Sequence, residues 1–407
     1  YRSGDWNHLR VRVEAERILC FLNGNLVIES TDQAWRKGSV GLCKFRQTEP
    51  QYRRFEVASN LDSSAQVQPE VEAAIRRFVT GGNANEAEMF FNEMADLKVD
   101  RSSLNEAAAE LRKRADAMEA VASRLHQQRV IQAMLEEFAV EDAEVNLLET
   151  SLLVAYLSDP TLIVGDYIAE LDRMAVELEE NLEVVAGNAG INGGAISERQ
   201  KLELLGLYLF EQNGFHGSRS DYNDKSNSFL NRVLDDREGL PISLSIVYME
   251  LGRRVGLNFE GVPLPGHFVV RHLPAREGAV PQLVDVFEGG VLLAEEDVAT
   301  LVMEHAGQAL RPEHLIPASN RDIIVRMLRN LIGGAIDQQD EGVALPNLDL
   351  LLAIAPEEPQ EHLSRAILLF QSGNPERAKT DIEWLIEHEP PGMDIERLRE
   401  WRGSLGR

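Results

Sequence analysis

Cysteine is almost missing from this polypeptide. Its 407 residues hold two, Cys20 and Cys43, which excludes a disulfide scaffold and a multi-thiolate metal centre. The two could meet across paired strands or remain separate buried thiols, and the sequence leaves that pairing open. Aromatic residues are also scarce, at 6%. Basic residues are outnumbered, 41 Lys and Arg against 67 Asp and Glu, for a net charge of −26. The first 60 residues hold ten basic and seven acidic side chains, a net of +3, so the remainder carries −29. An acidic body of this kind repels phosphate backbones and excludes a broad nucleic-acid surface. No apolar run reaches the roughly 20 residues that span a bilayer; the best candidate, Ser151–Val164, is broken by Asp159-Pro160. The chain opens at Tyr1, already in strand-like sequence, so an upstream portion is expected and a signal peptide is neither seen nor excluded. With no disulfide framework or anchor in view, the expected compartment is the cytoplasm.

Hydrophobic residues make up 44%, enough for several cores, and the length leaves room for two or three domains. Residues 1–60 are β-like. Leu9, Val11 and Val13 alternate with His8, Arg10 and Arg12, the period of a half-buried strand. A strand at Ile18–Leu22 turns at Asn23-Gly24-Asn25 into Leu26–Ile28, and further strands are expected at Gly38–Phe45 and Arg54–Val57. The runs GDWNHLRVRVEAERILCFLNGNLVIES and GSVGLCKF resemble the closing half of a concanavalin/laminin-G-like jelly roll of the 3-keto-disaccharide hydrolase type. Four or five strands cannot close such a sandwich, so the segment is a partial module, structural before anything else.

Residues 61–146 are a polar linker followed by helix. Leu104, Ala108, Leu111, Ala115, Met118, Ala122 and Leu125 form a heptad seam, with Ser102 or Ser103 able to cap its start. Such a seam suits a helical hairpin or a short dimeric coil. Two amphipathic helices follow between 145 and 182, interrupted at Asp159-Pro160, the second with Val164, Leu171, Met174 and Leu178 on one face. The glycine-rich stretch 187–194 has no following Lys-Ser/Thr and reads as a loop rather than a phosphate cradle. Near the C-terminus Ala344 and Ala378 are 34 residues apart, as are Pro356 and Pro390, while Leu348 matches Ile382 and Leu351 matches Leu385. This period resembles the tetratricopeptide helix pair and defines a helical tail over 311–407.

The chemistry is concentrated between 204 and 293. Pro241 opens a helix running to Val255, at a first-turn position where its missing N–H costs nothing. Strands follow at Phe259–Val262, Pro265–Arg271 and Leu283–Gly290. A nucleophile at a helix start, a His on one strand and an Asp on the next is the papain/transglutaminase layout. There the helix end lowers a thiol pKa, the imidazole takes its proton and the carboxylate orients the imidazole. The segments NSFLNRVLDDREGLPISLSIVYMELGRRVGLNFEGVPLPGHFVVR and LVDVFEGGVLL resemble the SirB1 family of the transglutaminase-like superfamily. The likeness runs from the helical lead-in near 147 through HLIPASNRDIIVRMLRNL to about residue 400. It implies an α+β papain/transglutaminase-like domain over 147–310, with His267 and Asp285 in the superfamily His and Asp places.

The superfamily cysteine belongs in a Gly-x-Cys just before the helix. Here Gly239-Leu240-Pro241 places proline there, and no cysteine follows Cys43. Ser243 and Ser245 are the nearest hydroxyls, and Ser243 is two residues out of register, about 200° around a helix. Asn223, Asp224, Asn227 and Asn231 are first of all turn and capping residues. Asn223, Asn227, Asn231 and Arg271 complete the set of binding candidates, and no cofactor or metal is expected. Three functions compete. The first is a non-thiol, regulatory or protein-binding module, for which the acidic surface and helical tail suit a protein or peptide partner. The second is a hydrolase or amide-transfer enzyme acting on peptide or amide bonds through Ser243 or a water activated by His267. The third is carbohydrate binding by the N-terminal module.

Overall fold

The computed structural model describes residues 7, 9–14, 17–23, 25–31, 74–75, 77–78, 84–96, 101–188 and 196–405. The chain divides into two compact units, residues 1–120 and 121–407.

In the first unit β1 (Leu9–Val13), β2 (Ile18–Leu22) and β3 (Asn25–Ser30) form an antiparallel meander. Val11 pairs with Cys20, and Cys20 with Ile28. The hairpin turn sits at Asn23, whose positive φ of 51° suits Asn. Leu19 is buried, whereas Leu9, Val11 and Val13 are exposed, so the alternating face of β1 is not covered. The strands expected at 38–45 and 54–57, Cys43 and the linker at 61–68 lie outside the described residues. Helix α1 (Ala84–Asp96) contributes Met94 to a small core with Ala74 and Ile75.

Helix α2 (Arg101–Glu137) is longer than the heptad pattern suggests. It starts at Arg101, so Ser102 and Ser103 lie inside it rather than ahead of it. Leu104 packs on that small core, but the seam beyond it is not packed away: Leu111, Met118 and Leu125 are 37%, 73% and 51% exposed. The pattern marked a helix correctly, but a heptad stripe carries no information about whether a partner is present. Only toward its C-terminal end, at Val130 and Met134, does α2 enter the main core.

The second unit is organised around one buried helix. Helices α3 (Leu147–Ser158) and α4 (Val164–Asn188) form the lead-in, broken where Asp159 accepts from the N–H and hydroxyl of Thr161. Leu171, Met174 and Leu178 of α4 are fully buried, as the apolar spacing requires. Helix α5 (Glu198–Gly206) is closed at its start by a Ser197/Gln200 capping box and runs into a π-helical turn at Leu207–Gln212. Then come β4 (His216–Gly217), α6 (Leu230–Asp236), β5 (Glu238–Gly239) and α7 (Pro241–Arg254). Every residue of α7 from Pro241 to Gly252 is buried. A helix with core on all sides is mostly apolar, and Ser243, Ser245 and Glu250 are buried with the rest.

Strands β6 (Asn258–Val262), β7 (Val269–Leu273), β8 (Gln282–Asp285) and β9 (Val291–Leu293) form an antiparallel sheet in that order. Strand β7 begins later than the sequence suggests, because Pro265-Gly266 is a turn. Strand β8 likewise ends at Asp285, and the following turn leads into β9. Helix α8 (Glu295–Ala306) covers part of the sheet through Val298 and Val302, which pack with Val262, Leu264 and Val269.

The helical tail consists of α9 (Asn320–Asp337), α10 (Glu341–Ile354), α11 (Pro359–Gln371), α12 (Pro375–His388) and α13 (Ile395–Ser404). Ala344 on α10 and Ala378 on α12 are both fully buried, and so are Leu348, Ile382, Leu351 and Leu385. A polar network links the repeats. Arg365 pairs with Asp381 and Asp349, His362 donates to Asp381 at 2.7 Å, and Gln127 of α2 donates to Asp349. Among the described residues no helix is long and apolar enough to cross a membrane.

Candidate active site

The antiparallel pairing Val270↔Val284 sets the residues just before β7 beside the end of β8. His267 and Asp285 occupy those two places, 3% and 1% exposed, with His267 Nε2 3.0 Å from Asp285 Oδ2. Asp285 is fixed by its own turn: Oδ1 accepts from the backbone N–H groups of Phe287 and Glu288 at 3.1 and 3.2 Å. A carboxylate can only accept, so Nε2 carries the hydrogen and Nδ1 of the neutral ring holds the lone pair. Nδ1 makes no hydrogen bond to the described residues. It is the atom left for a ligand, a nucleophile or water.

The backbone around His267 is held firmly. His267 N donates to Leu264 O at 3.1 Å across the Pro265-Gly266 turn. Gly266 has φ +76°, and a Cβ there would lie 2.9 Å from the carbonyl oxygen of His305, so no other residue fits. On the far side Arg326 of α9 donates to His267 O at 2.8 Å. The imidazole itself lies between two rings. His305, from the last turn of α8, is stacked on it at 4.9 Å with an interplanar angle of 4°, and Phe287 meets it edge-on at 6.1 Å. Tyr222 in turn meets Phe287 edge-on at 6.3 Å. Phe287 can come so close to β4 only because residue 217 is glycine.

Ser243 is committed elsewhere. Its hydroxyl is fully buried, donates to Asn227 O at 2.7 Å and accepts from Leu240 N–H at 2.9 Å, closing the start of α7. Pro241 occupies the first position of that helix. The other sequence candidates fall into two groups. Asn227 is buried with its amide donating to Asp221 O at 2.7 Å, and Arg271 reaches Glu260 and Leu315 O, so both hold the fold together. Asn223 is exposed, and its carbonyl accepts from the side chain of Gln338, just past the end of α9. Asn231 is 7% exposed with no partner for Oδ1. Tyr222, Phe287, His305 and Arg326 were not singled out from the sequence. They come from a loop, a turn and two different helices, and no local spacing connects them.

The transglutaminase-like superfamily profile matches residues 165–329, and a tetratricopeptide-repeat profile matches 331–402. Protein SirB1 of Salmonella typhimurium is 26% identical over 248 residues, covering 60% of this chain and 85% of that protein. Residues 165–329 are a transglutaminase-like domain of the SirB1 type. A UPF0162 protein of Xylella fastidiosa is 29% identical over 265 residues, 64% of this chain and 90% of that protein. F-box only protein 21 of Homo sapiens is 31% identical over 184 residues, but the match covers only 29% of its length. No solved structure matches. The SirB1-type domain and the tetratricopeptide repeats together span the sheet, the buried helix and the helical tail. The laminin-G-like likeness of the N-terminal segment gains no support from these comparisons.

Proposed function

We propose that the SirB1-type domain, taken as residues 147–310, is a protein- or peptide-binding module that retains the His–Asp half of a transglutaminase-like site and lacks its nucleophile. The observation that carries this reading is the commitment of Ser243. A hydroxyl that donates to Asn227 O and accepts from Leu240 N–H has no hydrogen bond with His267, so nothing activates it. Proline at 241 puts an unreactive ring at the helix start where the superfamily layout has a thiol. The tetratricopeptide tail supports a protein partner, because stacked helix pairs present extended surfaces for peptides.

A second reading is favoured by the free Nδ1 of His267, which would take a proton from a water poised over a bound amide. Both readings are tested by treating the full chain with a broad serine-directed fluorophosphonate and measuring its mass, alongside turnover of peptide and amide substrates. The expected result is no adduct and no turnover. An adduct on Ser243 that disappears in His267→Ala would make this a serine hydrolase, and turnover without an adduct would favour the activated water.

A further inference from the structure

Arg326 holds the His267 backbone from α9, and no carboxylate among the described residues forms an ion pair with it. One N–H of its guanidinium donates to His267 O at 2.8 Å, and the group lies over the ring of Phe268 at 5.4 Å from the centroid. No ion pair joins it to a carboxylate among the described residues, in a chain with 67 acidic side chains. Its neighbours on α9 behave differently: Arg329 pairs with Glu358 and Glu361, and Arg321 reaches Asp142. Burial pushes the Arg326 guanidinium below its ordinary pKa, opposed only by Tyr222. An arginine carries five N–H donors in a planar fork, so one bond to His267 O leaves most of that fork unused. The groups around it are suited to a ligand rather than to packing. Tyr222 is 46% exposed and His305 is exposed, so solvent reaches this corner. The phenol, the guanidinium and the free Nδ1 of His267 are all polar.

We propose that Arg326 anchors a ligand carboxylate at the His267 site, so that the domain takes peptides carrying a free carboxylate, held by the guanidinium with Tyr222 and the His267–Phe287 rings beside it. The proposal rests on the peptide-binding reading above and gives that reading a ligand chemistry. A carboxylate matches the planar fork in charge and geometry. A phosphate dianion suits the corner less well, because a net charge of −26 opposes each added negative charge.

The test is calorimetric titration of the full chain at low salt with three peptides and inorganic phosphate. Acetyl-Gly-Glu-amide offers a side-chain carboxylate, acetyl-Gly-Gly-Ala a C-terminal one, and acetyl-Gly-Gln-amide none. One or both acids should bind, and the difference between them identifies the source of the carboxylate. The amide should not bind, and Arg326→Gln should weaken the acids at least tenfold. Arg326→Lys keeps the charge but loses the fork, and should weaken them several-fold while melting like the parent chain. That variant preserves the test if Arg326→Gln does not fold. Absence of binding by both acids, equal binding of the amide, stronger binding of phosphate, or unchanged affinity in Arg326→Lys would each overturn the proposal. If Arg326 only pins the His267 loop, its substitution lowers stability while the parent chain binds no acid. None of these results alters the fluorophosphonate outcome, so the two readings fail separately.

Discussion

Gly217→Ala is a small change that should disturb the His267 site through a single contact. A Cβ at 217 would lie 2.5, 2.6 and 2.8 Å from three carbons of the Phe287 ring. Carbon atoms pack best at about 3.5–4.0 Å, so the ring must retreat by about 1 Å. Phe287 has little slack, since it meets His267 on one side and Tyr222 on the other. Overpacking of this kind costs about 1–3 kcal/mol. Gly217 has no positive φ, so backbone strain contributes nothing and the cost belongs to the ring contact. Native-state hydrogen exchange, read on peptides covering 207–218 and 285–293, should show that loss as faster local opening. The His267 ring-proton resonance should move as well, because Phe287 presents its edge to it. Phe287→Leu removes the obstacle, so Gly217→Ala in that background should cost less than half as much. A neutral Gly217→Ala, or one whose cost is unchanged in the Phe287→Leu background, would show that the Phe287 ring is not the obstacle.

The helical tail offers two further tests. Ala378→Leu should cost about 1–3 kcal/mol in a urea melt followed by Trp384 fluorescence, because Ala378 is fully buried on α12, and a neutral result would remove the repeat assignment. Burial opposes ionisation of Asp381, but hydrogen bonds from His362 and Arg365 outweigh it and hold the carboxyl below its ordinary value. Its folded pKa is therefore lower than its unfolded one, about 3.9. Its contribution is present above that value and is lost as the pH falls through the folded value. Asp381→Asn should destabilise the tail at neutral pH by about 3 kcal/mol and flatten its stability below about pH 4. Acid sensitivity identical to that of the parent chain would contradict this.

Local signals in the sequence located most of the elements that build the site. Pro241, Gly256 and the apolar run between them define α7, and it is the SirB1 resemblance that points to His267 and Asp285. The bounds of β7 and β8 were less clear, because Pro265-Gly266 and the Asp285 turn belong to the site geometry rather than to the strands. Ser243 shows the limit of spacing arguments. Its register counted against a nucleophile, but its bond to Asn227 O depends on a loop sixteen residues earlier. Arg326 lies within the SirB1-like segment 314–331, yet its part at the site, like that of His305, depends on helix docking, a tertiary event. The heptad seam on α2 illustrates the reverse case, a clear pattern whose apolar side chains remain exposed.

On the proposed reading, Pro241 stands where the superfamily has its nucleophile, while His267 keeps its place as the base. Restoring a thiol tests it directly. In a Cys20→Ser/Cys43→Ser background, Pro241→Cys would be alkylated with iodoacetamide across pH 5–9 and followed by mass. The new thiol should ionise below the ordinary value of about 8.5, with a reaction rate at pH 6 that falls at least tenfold when His267→Ala is added. A thiol of ordinary reactivity, indifferent to His267, would mean that residue 241 is not the nucleophile position.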